Sequence, residues 1–265
     1  MDKFFVTSDV HGFFDIFQQE LFDKGFEIDN PKHKVVVCGD LFDRGEQAIE
    51  LLDFVRGLGD RFIYVRGNHE DLMFDCYNSL LLNRDPGYHH VTNGTIGTIC
   101  QLTGLGFYNV LTPSPERTRA FGNKLEPVLQ WIHNKSVDYF ETANYVFVHG
   151  WIPSFAHLDD FRDGTANDWD EARWLNGMEM WKNPKCRVEG KTIVCGHWHC
   201  SWGWSHIKQK RKEFPQKNRK DWQKSFEPFV DDGIMAIDAC TAYTGMCNIV
   251  VIEDKSLEGD VDGNN

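Results

Sequence analysis

Six times along this chain a short run rich in Val, Ile and Phe stops at a polar cluster: "FFVTSDVHG", "KVVVCGDLFDRG", "RFIYVRGNHE", "NYVFVHG", "KTIVCGHWH" and "GIMAIDAC". Continuous apolar runs of this length predict strands buried on both faces. Between the first three, "FDIFQQELFDKGF" and "EQAIELLDFVRGLG" carry helical spacing and end near glycines that terminate helices. The result is a β-α-β-α-β arrangement, hence a parallel sheet with right-handed crossovers. Ligands of such sheets bind beyond the carboxyl ends of the strands, where all the polar clusters fall. Residues 70–83 predict a further helix and 122–140 another, whereas 84–121, with Gly, Pro and Thr, read as connecting loops. An acidic, Trp-rich stretch follows at 151–184, and a basic one at 208–224 with eight Lys or Arg. Neither a repeat nor a separating linker is visible. The expectation is one α/β domain over 1–252 with cap-like insertions near 84–140, 151–189 and 202–232, then a polar, frayed tail at 253–265.

Composition narrows the function more than the fold. Hydrophobic residues at 41%, among them 20 Phe and 9 Trp, supply an ample core for 265 residues. A net charge of −12 disfavours a nucleic-acid binder, which needs a basic face to neutralise phosphates. A local positive site made by metal ions is compatible with that total. Asp2 and Lys3 precede only a few apolar residues, unlike a signal peptide, and no run reaches the length of a membrane span. A cytoplasmic protein is expected, without membrane partner and monomeric by default. The eight cysteines are scattered and form no Cys-x-x-Cys, so they read as reduced and mostly buried.

The strand ends collect Asp9, His11, Asp40, Asn68, His149, His197 and His199. This is an oxygen and imidazole donor set without thiolate, suited to Mn, Fe, Zn or a mixed pair rather than to a structural zinc site. Seven donors exceed what one ion takes while leaving room for substrate, but two ions about 3.5–4 Å apart use them if one carboxylate bridges. Asp40, directly after the second strand and central between groups from the first and third, is the expected bridge. Two divalent ions, two carboxylates and one hydroxide leave a surplus near +1, which attracts a phosphate dianion even on an acidic protein.

The motifs "SDVHG", "GDLFDRG", "GNHE", "HG" after a strand and "GHWH" resemble, in order and rough spacing, those of the calcineurin-like metallophosphoesterases. The "DRG" and "GNHE" forms are similar to those of the PPP-type serine/threonine protein phosphatases and their bacterial relatives, which include symmetrical diadenosine tetraphosphatases. The resemblance covers about residues 1–75, 145–151, 190–200 and 234–252. It implies a central two-sheet β-sandwich flanked by helices and two divalent ions, Mn2+ first, with Fe, Zn or Ni as alternatives. It further implies that Asp9, His11 and Asp40 hold one ion, that Asp40, Asn68, His149 and His197 hold the other, and that His199 is an extra ligand of the first. His69, oriented by Asp43, is the implied acid for the departing oxygen, and Arg44 the implied phosphate clamp. A second clamp is expected among Arg162, Arg173 and Arg187, with Arg173 of "WDEARW" preferred. Tyr243 is expected to face the cleft. Gly39 is expected to let the chain approach the metals, and Gly45 to permit the turn into the next helix.

The implied reaction is one-step hydrolysis by a hydroxide held between the ions. The expected substrate is a phosphorylated protein, at phosphoserine or phosphothreonine, or another small phosphoester; the alternative is a dinucleoside polyphosphate such as diadenosine tetraphosphate. A metal-independent binding module is disfavoured because no ligand, acid or clamp position is missing. Elsewhere ordinary packing is the stronger reading. His33, His89, His90, His133, His157 and His206 match no motif and read as surface or packing residues. Trp169, Trp174 and Trp181 read as the core of a small cap. The basic run reads as a solvated face able to rim the cleft.

Overall fold

In the computed structural model, which describes residues 1–208 and 219–256, each of the six apolar runs forms a strand. They are β1 (Asp2–Thr7), β2 (His33–Cys38), β3 (Phe62–Val65), β6 (Tyr145–Phe147), β7 (Thr192–Cys195) and β9 (Ile234–Ala236). Short strands join them: β4 (Ser136–Val137), β5 (Phe140–Glu141), β8 (Phe229–Asp231) and β10 (Val250–Asp254). Two five-stranded sheets result, ordered β10-β1-β2-β3-β4 and β5-β6-β7-β9-β8. Strands β1 to β4 are parallel and β10 runs against β1; in the second sheet β6, β7 and β9 are parallel, with β5 and β8 antiparallel at the edges.

The alternation of side chains explains why these strands read as unbroken apolar runs. Phe4, Val6, Val36, Cys38 and Val65 point between the sheets, where they meet Phe147 and Val194. Their neighbours Phe5, Val35, Val37 and Tyr64 face outward into a second core. That core lies under α1 (Phe14–Asp23), α2 (Ala48–Gly57) and α3 (Asn68–Leu81). On the outer face of the second sheet, Val146, Ile193 and Phe229 pack in one core with Trp151, Trp169 and Trp181. A buried face on each side of both sheets leaves the strand ends as the place where polar groups reach solvent.

Residues 84–121 are not loops. They fold as α4 (Tyr88–Thr92), α5 (Thr95–Thr103), α6 (Phe107–Leu111) and α7 (Pro115–Ala120), ahead of α8 (Glu126–Lys135). The Gly and Thr content hides them, but Ile96, Ile99 and Leu102 of α5 share one buried helical face. The expected frayed tail begins too early as well. Glu253 and Asp254 continue β10 opposite Lys3 and Asp2. Asp254 is buried because its carboxylate accepts hydrogen bonds from Thr142 Oγ1 and from both the backbone and side-chain nitrogens of Asn144. All eight cysteines are free, and Cys38, Cys76, Cys186, Cys195, Cys200 and Cys247 are buried. No helix among the described residues is long and apolar enough to cross a membrane. Most of the basic run and the chain beyond 256 lie outside the described residues.

Candidate dinuclear metal centre

The loops after β1, β2, β3, β6 and β7 converge on one cleft of about 130 Å³, lined by Asp9, Asp40, Arg44, Asn68, His69, Leu72, Asn93, Trp174 and His197. Their backbones are bent hard to do so. Seven of the eight non-glycine residues with positive φ among the described residues belong to these loops or to the one after β9: Asp9, His11, Asp40, Asp43, Arg44, His197 and Cys240. Strain of this kind persists only where surrounding structure over-determines it, and it gathers at functional sites. Part of the restraint is Glu70, fully buried, whose carboxylate accepts from the backbone N–H groups of Asp40, Leu41 and Gly67 at 3.0, 3.0 and 2.8 Å. The last residue of "GNHE" thereby holds the "GDLFDRG" turn.

Asp40 sits between two histidine groups. Its Oδ1 is 3.3 Å from His149 Nε2, and its Oδ2 lies 3.7 Å from His11 Nε2 and 3.9 Å from His69 Nε2. Donor atoms of His11, Asp40 and His69 lie within 4.8 Å of one another, and so do those of Asp40, His149 and His197. Asp9 joins the first group, with Oδ1 4.0 Å from His11 Nε2, and its Oδ2 accepts from the His197 backbone N–H. Asn68 joins the second, its Oδ1 2.7 Å from His149 Nε2.

The donor chemistry fits cations. His11 Nδ1 donates to the Phe42 carbonyl and His149 Nδ1 to the Cys38 carbonyl, which brings each Nε2 to the shared carboxylate, that of His11 beside Asp40 and the Arg44 guanidinium and that of His149 beside Asp40 and Asn68. Imidazole nitrogens and carboxylate and amide oxygens crowded in one buried site are a set of donors that a divalent ion would gather. Electrostatics argues the same way. Burial drives the Asp40 carboxyl well above its usual range, reinforced by Asp9 and Glu70 against the opposing pull of His69. Burial also pushes His11 down, together with Arg44 and His69, and His197 to about 3, together with His149. Neutral imidazoles beside crowded carboxylates are the ligand forms that divalent ions require.

A second device borders this set. His69 Nδ1 lies 2.8 Å from Asp43 Oδ2, which also accepts from Thr95 Oγ1 at 2.9 Å. Asp43 is fully buried and its backbone N–H donates to Thr98 Oγ1, so α5 carries the support of the pair. Burial opposes a charged His69 ring, but Asp40 and Asp43 outweigh it and raise the pKa. Arg44 spreads its fork across both groups, Nη1 donating to His11 Nε2 at 2.8 Å and Nη2 to His69 Nε2 at 3.1 Å.

Not every expected residue comes to the cleft. His199 donates or accepts with Ser201 Oγ through Nδ1 at 2.7 Å and enters neither donor group. Arg173 is buried and pairs with Asp71, Asp138 and Asp170, so its guanidinium is neutralised beside the site rather than free within it. Arg162 is held by Glu141 and Asp160, and Arg187 lies over the Trp181 ring. Tyr243 is exposed and packs edge-on against Trp222, outside the cleft lining. Gly45 serves close approach and not backbone freedom: its φ is not positive, and a Cβ there would lie 2.5 Å from the His11 carbonyl. Gly39 does both, at φ +79°, with a Cβ position 2.3 Å from His149 Nδ1.

Trp169 and Trp181 are buried in the cap as expected, but Trp174 is 51% exposed and forms a wall of the cleft, its ring 5.7 Å from that of His197 and edge-on to it. Asn93 and Leu72 were not legible as wall residues. Leu72 follows the "GNHE" helix start by one turn, which is a usable signal, whereas nothing in the sequence around Asn93 marks it. Asp238 ends the sixth run, is buried, and is raised by burial and by Asp9; its place in the pattern was the only signal.

The profile of the calcineurin-like phosphoesterase family matches residues 2–229. The chain belongs to the calcineurin-like phosphoesterases. Within that family, the symmetrical bis(5'-nucleosyl)-tetraphosphatase of Nitrosococcus oceani is 39% identical over 66 residues, 25% of this chain and 23% of the relative. The enzyme of the same name from Actinobacillus succinogenes is 40% identical over 76 residues, 29% of this chain and 26% of its own length. The chain thus spans about a quarter of the curated relatives it matches. Among solved structures, the cold-active protein-tyrosine phosphatase of a psychrophilic Shewanella superposes with a TM-score of 0.54 at 14% identity, over 96% of this chain and 76% of that one. At that identity the likeness is one of fold.

Proposed function

We propose that this calcineurin-like phosphoesterase hydrolyses phosphoester or phosphoanhydride bonds at a dinuclear metal centre, with a dinucleoside polyphosphate as the favoured substrate. The reaction class rests on Asp40, the one residue common to both donor groups around the cleft. Asp9, His11 and Asp40 would hold one ion, and Asp40, Asn68, His149 and His197 the other. When bound, the ions supply Lewis-acid charge to the phosphoryl group and an acidified water as nucleophile. Arg44 binds phosphoryl oxygens with its planar fork, which then turns away from His11 and His69. His69, kept protonated by Asp43, holds a proton on Nε2 for the departing oxygen.

The substrate reading rests on Trp174. A cleft of about 130 Å³ admits the reacting phosphates and leaves the rest of the substrate at its mouth, where an exposed indole offers a stacking face for a base. The matched relatives bear a name of that activity. A phosphorylated protein is the second reading, supported by the same small cleft, which accepts a phosphoryl group presented on any chain. The test is product analysis with Mn2+-loaded protein on diadenosine tetraphosphate and on a phosphothreonine peptide, with His69→Asn as control. Conversion of the tetraphosphate and water to two ADP, faster than peptide dephosphorylation, is expected. Faster peptide turnover would reverse the order of the two substrates, and no turnover of either would remove both.

A further inference from the structure

A second cluster of donors lies outside the cleft. Asp75 on α3 and the consecutive His89 and His90 on α4 bring one donor atom each within 4.8 Å of the others. Asp75 Oδ2 is 3.1 Å from His90 Nε2, and the two imidazoles lie against each other with centroids 4.0 Å apart. We propose that Asp75, His89 and His90 bind one transition-metal ion of the Zn2+ class, separate from the dinuclear centre.

Two imidazoles and a carboxylate are a donor set for Zn2+, with three protein ligands and one position left for water. Ca2+ and Mg2+ are disfavoured, because they take mostly oxygen ligands in larger numbers. A tetrahedral ion with Zn–N bonds of about 2.0–2.1 Å brings its donor atoms to roughly 3.3 Å from each other. Two of the three donors, Asp75 and His89, are on exposed side chains and can close that gap without repacking. The third is the opposite case. His90 is fully buried, and its Nδ1 has no hydrogen-bond partner among the described residues. The Nε2 of this buried imidazole has one exposed carboxylate as its partner, so that edge of the ring is open to an ion shared with Asp75, while Nδ1 is left for a water. Burial lowers the His90 pKa against the pull of Asp75, which favours the neutral ring that ligates.

The site has a consequence for the cleft. An ion there ties α4 to α3, the helix that begins with Asn68 and His69. The residues that follow α4 are Asn93, in the cleft wall, and Gly94, where a Cβ would lie 2.2 Å from the Arg44 backbone nitrogen. Occupancy therefore steadies the wall beside the phosphate-binding arginine.

The experiment is zinc content per chain, by mass spectrometry of the metal, after metal-stripped protein is dialysed against micromolar Zn2+. The parent is compared with an Asp75→Ala, His89→Ala double variant, whose substituted side chains are both exposed. The variant is expected to hold one zinc fewer. Equal counts overturn the proposal. The difference is independent of the dinuclear centre: if that centre failed, the parent would hold one ion and the variant none. A second readout is amide exchange over 84–94, expected to slow on zinc addition in the parent and not in the variant; identical responses would also overturn it. His90→Gln, with a circular dichroism spectrum like the parent's, should lose the same single ion.

Discussion

His69 meets two requirements through one hydrogen bond. Against burial, which lowers it, Asp40 and then the Asp43 carboxylate that fixes the ring hold the His69 pKa above the ordinary value, so the acid form extends to higher pH. An acid must be protonated to act, so turnover should fall as pH rises through that raised pKa. His69→Asn is expected to lower kcat by roughly 10²–10⁴-fold and to remove this alkaline limb. Asp43→Asn takes away a group that raises the pKa, so its limb should move to lower pH; an unmoved limb in the pH profile would exclude His69 as the acid. Trp174 acts on binding instead. Trp174→Ala should raise KM for diadenosine tetraphosphate roughly tenfold, in line with the value of one base stack, and leave an aryl phosphate almost unaffected. Equal losses on both substrates would remove the stacking role. Arg173, expected as a clamp, carries three carboxylate partners in place of a substrate, and this could not be read from "WDEARW", because two of those partners come from Asp71 and Asp138, far away in sequence.

Elements matter here mainly through their ends. Strands β1, β2 and β7 hand the chain to loops with left-handed residues among the polar groups of the site, Asp9, His11, Asp40 and His197, and glycine is used where even a methyl would collide. Gly39→Ala should fold poorly or bind metal weakly, since it combines φ +79° with a Cβ position 2.3 Å from His149 Nδ1. A loss of about 1–3 kcal/mol in unfolding stability, read from denaturant midpoints, is the expected size. Apolar runs announced the strands because both faces of each sheet are buried. The short edges β4, β5 and β8 have too few residues to show a pattern, and α5 escaped notice because its value is tertiary: Thr95 and Thr98 face Asp43. Propensity made that stretch a loop, and packing made it a helix.

At the scale of the whole molecule, the two sheets bring strand ends from residues 9 to 197 into one cleft, where the buried carboxylates of Asp9, Asp40, Asp43, Glu70 and Asp238 outnumber the cationic groups Arg44 and His69. Metal ions that bind only the folded chain should therefore raise its stability. At a free concentration of about 1,000 times Kd the gain is about 4 kcal/mol per site. Chelation should lower Tm by several degrees or more, and restoring Mn2+ should return it; a Tm indifferent to metal would contradict a bound centre. The sequence by itself determined the six strands of the apolar runs, the parallel order of the first three, and which polar residues stand at the strand ends, because burial on both faces imposes apolar runs that stop where the loops begin. Only the tertiary structure decided which polar groups share a site. Asn93, Trp174 and the supporting hydroxyls of α5 enter it, while Arg173, expected as a clamp, is held by three carboxylates and His199, expected as a ligand, bonds Ser201, because proximity between distant segments is set by how the elements pack and not by any local pattern.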